Sequence, residues 1–145
     1  MNLSRRELTI LGASIYLCEG TKARVDNRGW SHFDVEFTNK DPRLICLFLK
    51  FLRKSIKVEE NRLKAQLFVY PDHDQHQIML FWSKATAIPF DRFNKTILLK
   101  QKNPRYIPNP LGTLKLRYSH KKHFLKIQSI INDIFEQKGR GARVV

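Results

Sequence analysis

Apolar and polar positions alternate along this chain with two different periods, and the switches between them mark the elements. A helix is predicted from about Ser4 to Cys18, with Ser4 and Glu7 spaced as a capping box and Gly20 as its stop. Lys22 to Asp26, the turn-like Asn27-Arg28-Gly29 and Phe33 to Asn39 predict a hairpin. In its second arm Phe33, Val35 and Phe37 alternate with Asp34, Glu36 and Thr38. Asp41-Pro42 opens a second helix with Ile45, Phe48, Leu49 and Leu52 on its buried face.

Arg62 to Tyr70 alternates again, with Leu63, Ala65, Leu67 and Val69 on one face, and Pro71 ends it. Asp72 to Ala87 reads as a helix carrying Ile78, Phe81 and Trp82, closed by Pro89. Ile97 to Lys102 and Thr113 to Ser119 are predicted strands, joined by a loop with Pro104, Pro108 and Pro110. From His120 onward, Phe124, Ile127, Ile130, Ile131, Ile134 and Phe135 form a helical stripe. This order predicts an α+β domain over residues 1–137. A mostly antiparallel sheet would form a saddle, with helices packed on its other face, followed by a flexible basic tail over 138–145.

Charge narrows the partner. The chain has 145 residues with 27 Lys and Arg against 13 Asp and Glu, a formal net charge of +14. The excess is uneven: from Arg92 to Lys126 there are ten basic residues and no acid. A field of one sign attracts polyanions, and the phosphate backbone is the commonest. The basic stretch alternates like strands rather than forming a membrane-binding amphipathic helix, so the partner expected is double-stranded DNA and not a membrane. Lys22, Arg24, Arg62, Lys64, Gln66, Lys115 and Arg117 are expected on the open sheet face, with Arg28, Lys100 and Lys102 as further nucleic-acid contacts.

No apolar run approaches the ~20 residues of a membrane span, and the first ten residues lack a signal-peptide core. Cys18 and Cys46 sit among apolar neighbours in the sequence and read as reduced, which fits a cytoplasmic, nucleoid-associated protein. The pairs His73/His76 and His120/His123 lack the Glu or the cysteines of a zinc site and read as surface polar segments, while Trp82 reads as core. There is no Gly-rich phosphate loop, and no serine sits in a nucleophile elbow.

The segment Gly12-Ala13-Ser14-Ile15-Tyr16-Leu17-Cys18-Glu19-Gly20 carries the chemistry. Ser14 and Cys18, four apart, share a helix face that lets a second helix approach. Glu19 places a carboxylate at the negative end of the helix dipole, a cost that a cation would relieve. This stretch resembles the motif of the LAGLIDADG homing-endonuclease superfamily, in its short single-motif form. Phe37-Thr38-Asn39-Lys40-Asp41-Pro42, Phe81-Trp82-Ser83 and Gly112-Thr113 through Arg117-Tyr118-Ser119 look like the pattern of compact prokaryotic members. Gly12 stands where the motif opens on Leu, Glu19 where Asp is commoner, and the helix around Phe81 is an addition.

The resemblance implies a metal-dependent DNA endonuclease acting as a homodimer. Ala13, Ser14, Leu17 and Cys18 would form the helix–helix interface, and Glu19 and Gly20 would hold Mg²⁺ or Mn²⁺. It also implies basic residues near the scissile phosphate, for which Lys40 and Lys115 are the candidates beside Glu19. A non-catalytic DNA-binding regulator and an RNA-binding splicing helper are the alternative functions for the same fold.

Overall fold

The computed structural model describes residues 1–22, 24–100 and 109–136; for Arg24 it describes the backbone alone. Helix α1 spans Arg5–Glu19, followed by strands β1 (Arg24–Val25), β2 (Ser31–His32) and β3 (Asp34–Asn39). Helix α2 (Pro42–Phe51) runs into a π-helical turn, Leu52–Ile56. Strand β4 (Leu63–Val69), helix α3 (Gln75–Thr86), strands β5 (Ile97–Leu98) and β6 (Thr113–Ser119) and helix α4 (Lys121–Glu136) complete the described chain. The class is α+β: four helices and a mixed four-stranded sheet in the order β3-β6-β4-β5, plus the small β1-β2 ladder.

Local signals set the helix starts. The Ser4 hydroxyl accepts from the Glu7 N–H at 3.1 Å while the Glu7 carboxylate accepts from the Ser4 N–H at 2.8 Å, a complete capping box. The Asp41 carboxylate accepts from the Arg43 N–H at 2.9 Å, with Pro42 in the first turn of α2. Helix α3 starts later than the expected Asp72. Asp74 caps it by accepting from the Gln77 N–H, and His73 Nδ1 accepts from the Tyr70 N–H to close the preceding turn.

Strand alternation decides what is buried. Leu63, Ala65, Leu67 and Val69 of β4, Leu114, Leu116 and Tyr118 of β6, and Val35 and Phe37 of β3 are all buried in one core with the helices. Phe48 of α2 is its centre, stacked on Phe37 at 4.5 Å and on Tyr16 at 5.6 Å between ring centroids. Such aromatic pairs add about 0.5–1.5 kcal/mol beyond area burial. Trp82 is fully buried, and its indole N–H donates to the Leu111 carbonyl at 2.7 Å. Along α4, Phe124, Ile127 and Ile131 are buried, whereas Phe135 is half exposed beyond the edge of the packed stripe.

Three expectations change. The second arm of the hairpin, Phe33 to Asn39, forms as β3 but pairs with β6 rather than with the Lys22–Asp26 arm. Strand β1 pairs instead with Ser31–His32, so β1 and β2 form a separate tip, and the Phe33 ring between the two ladders meets Phe124 edge-on at 5.8 Å. Strand β5 is two residues long and pairs parallel to β4, where Ile97 to Lys102 was expected; Lys102 and the tail over 138–145 lie outside the described residues. Cys18 is exposed rather than apolar-lined. Cys46 is half-buried with its thiol on the Ala85 carbonyl, and both are free thiols. Among the described residues no helix is long and apolar enough to cross a membrane.

Candidate nucleic-acid interface

Helix α1 has two faces. Leu8, Gly12, Ala13 and Tyr16 are buried against the rest of the chain. On the other side Ile10 and Leu11 are each 40% exposed, Ser14 and Leu17 are partly exposed, and Cys18 is exposed. Ala13, expected at a dimer interface, is 0% exposed and therefore points into its own protomer's core. At 100° per residue Ala13 lies about 60° from Tyr16, at the margin of the Leu8–Gly12–Tyr16 face, and packing there covers its small side chain completely. The Ser14 hydroxyl donates to the Ile10 carbonyl at 2.7 Å, so it presents little unsatisfied polarity outward.

The helix ends on Glu19, an exposed carboxylate without a hydrogen-bond or ion-pair partner among the described residues. The Gly20 N–H donates to the Tyr16 carbonyl at 2.7 Å, and Gly20 forms an antiparallel bridge to Phe37. A Cβ at position 20 would lie 2.2 Å from the Tyr16 ring, so this close approach requires glycine. The bridge sets Glu19 alongside Thr38 and the exit of β3 toward the exposed Lys40. Lys22 does something other than reach for phosphate: its ammonium donates to the Leu17 carbonyl at 2.8 Å, closing the C-terminal end of α1.

The open sheet face follows from the register. Thr38 pairs with Lys115 and Lys115 with Gln66; Glu36 pairs with Arg117 and Arg117 with Lys64. Lys64, Gln66, Lys115 and Arg117 are thus brought together as expected, but two acids share their face. Lys115 Nζ lies 2.6 Å from Glu36, and the Arg117 guanidinium 3.0 Å from Asp34, which also accepts from the Ser119 hydroxyl at 2.6 Å. Burial pushes the Asp34 carboxyl up, but the Ser119 and Arg117 contacts outweigh it and leave it below the ordinary carboxylate range. Gln66 donates to the Lys95 carbonyl. Arg62 pairs with Glu59 at 3.3 Å on the surface. Lys64 has no ion-pair partner among the described residues, and with Arg62, Arg117, Asn61, Asn94 and Ser119 it lines a shallow cavity of about 340 Å³.

At the hairpin tip, Asp26 organises the turn. It accepts from the N–H groups of Arg28 and Trp30, and its other oxygen lies 2.9 Å from His32 Nε2. The His32 contact, then the Trp30 N–H, holds its pKa down to about 2. Arg28 pairs with Asp26 at 3.3 Å and covers the exposed Trp30 ring at 5.2 Å. The Arg24 backbone lies on β1, and Lys100 is exposed just past β5.

For a cation, a single protomer supplies little: among the described residues no three His, Cys, Asp or Glu side chains converge. The exposed Glu19 carboxylate, without a partner among the described residues, offers one hard oxygen ligand.

Sequence reasoning missed two features. Ile10 and Leu11 extend the outward face of α1, and the helical spacing of Ile10, Leu11, Ser14 and Cys18 at i, i+1, i+4 and i+8 carries the signal. Asp34 and Glu36 were visible on the polar face of β3, but which cations they meet depends on strand pairing. A scan against protein-family models matches none, and searches of curated proteins and of solved structures return no significant match.

Proposed function

We propose that this chain is a LAGLIDADG-like, site-specific double-stranded DNA endonuclease that acts as a homodimer with Mg²⁺ or Mn²⁺. One observation carries the reading: the outward face of α1, with Ile10, Leu11, Ser14 and Cys18 uncovered, leads directly to an unpartnered Glu19 beside the Thr38–Lys115–Gln66 row. A twofold axis along that face brings two Glu19 carboxylates together, as a pseudo-palindromic target requires. Glu19, with the Gly20 carbonyl, would hold the metal, whose chemistry is to lower the pKa of water and stabilise the leaving oxygen. Lys64 and Arg62 contact backbone phosphate, and Lys40, exposed and without an ion pair among the described residues, lies toward the Glu19 end of the sheet.

The test is cleavage of a randomised duplex library with Mg²⁺, with Mn²⁺ and with EDTA. The wild type cuts with either metal and Glu19→Gln does not. Equal cutting by both proteins removes Glu19 from the chemistry.

A second reading is a non-catalytic DNA-binding regulator, favoured by the ion pairing of Lys115 and Arg117, which leaves neither free to act on a phosphate. Sequence-specific binding that is insensitive to EDTA, with no cleavage in either metal, decides for it.

A further inference from the structure

At the opposite end of α1 from Glu19, a cavity of about 520 Å³ opens between the first turn of α1 and the end of α2. Its lining carries Arg5, Lys50, Arg53, Lys54 and Lys57 over a floor that includes the buried Leu8, and no acid. Arg53 is committed to Glu60. Arg5, Lys50, Lys54 and Lys57 have no ion-pair partner among the described residues. Lys50 and Lys54 are one helical turn apart, where like charges repel. The π-helical turn at Leu52–Ile56 ends on Lys57 in the left-handed region, φ 61°, a conformation unfavourable for a side chain with a Cβ. The fold thus gathers unscreened positive charge around one hollow. The dipole of α1 points its positive end there as well.

From this geometry we infer a binding site for a compact anion that carries adjacent phosphate groups. Four cations around one small hollow, none with an ion-pair partner among the described residues, call for several negative charges within a few ångströms. Linked phosphates supply that density, whereas an extended acidic peptide spaces its charges about 3.4 Å per residue along a strand. The volume lies in the range of small-molecule sites. Lysines bind phosphate as point charges without demanding one fixed geometry. The source is a free nucleotide or oligophosphate, or the phosphorylated 5′ end of a nucleic acid. The site is independent of the nuclease reading: Leu8, its lining residue nearest to Glu19 along α1, is about 16 Å of helix away from it.

Calorimetric titration of the full chain with inorganic tripolyphosphate at 0.15 M salt, about the physiological value, tests this. Saturable binding at one site per chain is expected. The double variant Lys50→Ala/Lys54→Ala should weaken it by about tenfold or more, and the control Lys84→Ala/Lys122→Ala, which removes equal charge from exposed positions elsewhere, by less than about twofold. Tripolyphosphate should raise the melting temperature of the wild type and not that of the pocket variant, which also verifies that the variant folds. Glu19→Gln should bind as the wild type does, so failure here and failure of the nuclease reading are separate results. Tighter binding of ATP than of tripolyphosphate assigns a free nucleotide, and tighter binding of a 5′-triphosphorylated oligonucleotide assigns a nucleic-acid end. Absence of saturable binding, equal losses in the pocket and control variants, or equal binding of polyglutamate at the same pocket overturns the inference.

Discussion

Gly12 of α1 lies directly on the ring of Phe51 in α2, so close that a Cβ at position 12 would sit 2.0 Å from Phe51 Cγ. Phe51 is fully buried and tilted against Phe48 at 5.7 Å, so it has nowhere to go. Gly12→Ala gains about 1 kcal/mol of helix propensity. It also forces overpacking that costs typically 1–3 kcal/mol and here acts on the root of an immobile ring. With the clash at the root of the ring the overpacking cost falls at the upper end of that range, about 3 kcal/mol, so the expected outcome is a net loss of stability of about 2 kcal/mol, read by urea unfolding. An unchanged or raised midpoint would show that the two helices separate freely.

The Lys115–Glu36 pair makes an asymmetric prediction. The Glu36 side chain is 8% exposed and that of Lys115 28%. Lys115→Met strands a buried carboxylate and should cost about 3 kcal/mol. Glu36→Gln leaves a lysine that can reach water and should cost about 1 kcal/mol. Glu36→Gln also frees a cation on the proposed DNA face, so duplex affinity should rise and the log–log salt slope should steepen by about 0.9. Denaturant unfolding and anisotropy at several salt concentrations measure the two effects. Equal destabilisation by the two variants would contradict the burial difference.

A pH dependence follows from the start of α4. The His120 and His123 rings stack at 3.9 Å, and the Tyr118 hydroxyl, which accepts from the Glu59 N–H, is 2.6 Å from His123 Nδ1. Its proton therefore points at a neutral imidazole. Burial, then the charges of His120 and Lys126, lower the His123 pKa below 6.5. The unfolded chain then binds the proton more readily than the folded one, so stability rises with pH. The contribution is complete above about pH 6.5 and lost as pH falls through the lowered folded value. Melting temperatures from pH 5 to 8 should climb with no more than one proton of slope, and His123→Gln should flatten the profile.

The outward face of α1 sets a prediction about assembly. Ser14 is small, internally hydrogen-bonded and flanked by Ile10, Leu11 and Cys18. Ser14→Leu places a branched side chain where the proposed dimer brings backbones together, so sedimentation should show the dimer converted to monomer. The fold should survive, since no core contact is touched. A variant that stays dimeric, or a wild type that is monomeric at about micromolar concentration, speaks against this face.

Much of the secondary structure was legible because its signals are local. Ser4 with Glu7, Asp41 with Pro42, and the period-2 runs from Leu63 and Thr113 each act within a few residues. Ala13 differs because it sits at the margin of the buried face of α1, where only packing decides that its small side chain is covered. The start of α3 was misplaced because Asp72 and Asp74 are equally good caps in isolation, and the choice fell to the one after the His73 turn. The basic cavity went unseen because charge was summed over long stretches. Lys50, Arg53, Lys54 and Lys57 lie close together along the chain, but only the turn that ends α2 and the left-handed Lys57 gather them around one hollow, and the acids elsewhere in that half of the chain masked them.

The sequence by itself determined where helices and strands form, which of their faces enter the core, and that the chain carries a large positive charge, since those properties depend on neighbours along the backbone. Tertiary structure alone decided that Asp34 and Glu36 meet Arg117 and Lys115, residues about eighty positions away, and that Gly12 must admit Phe51. It also decided that Glu19 is exposed near β3, with no partner among the described residues. Such pairings depend on strand order and helix approach, which are fixed by packing across the whole chain and leave no mark in any local pattern.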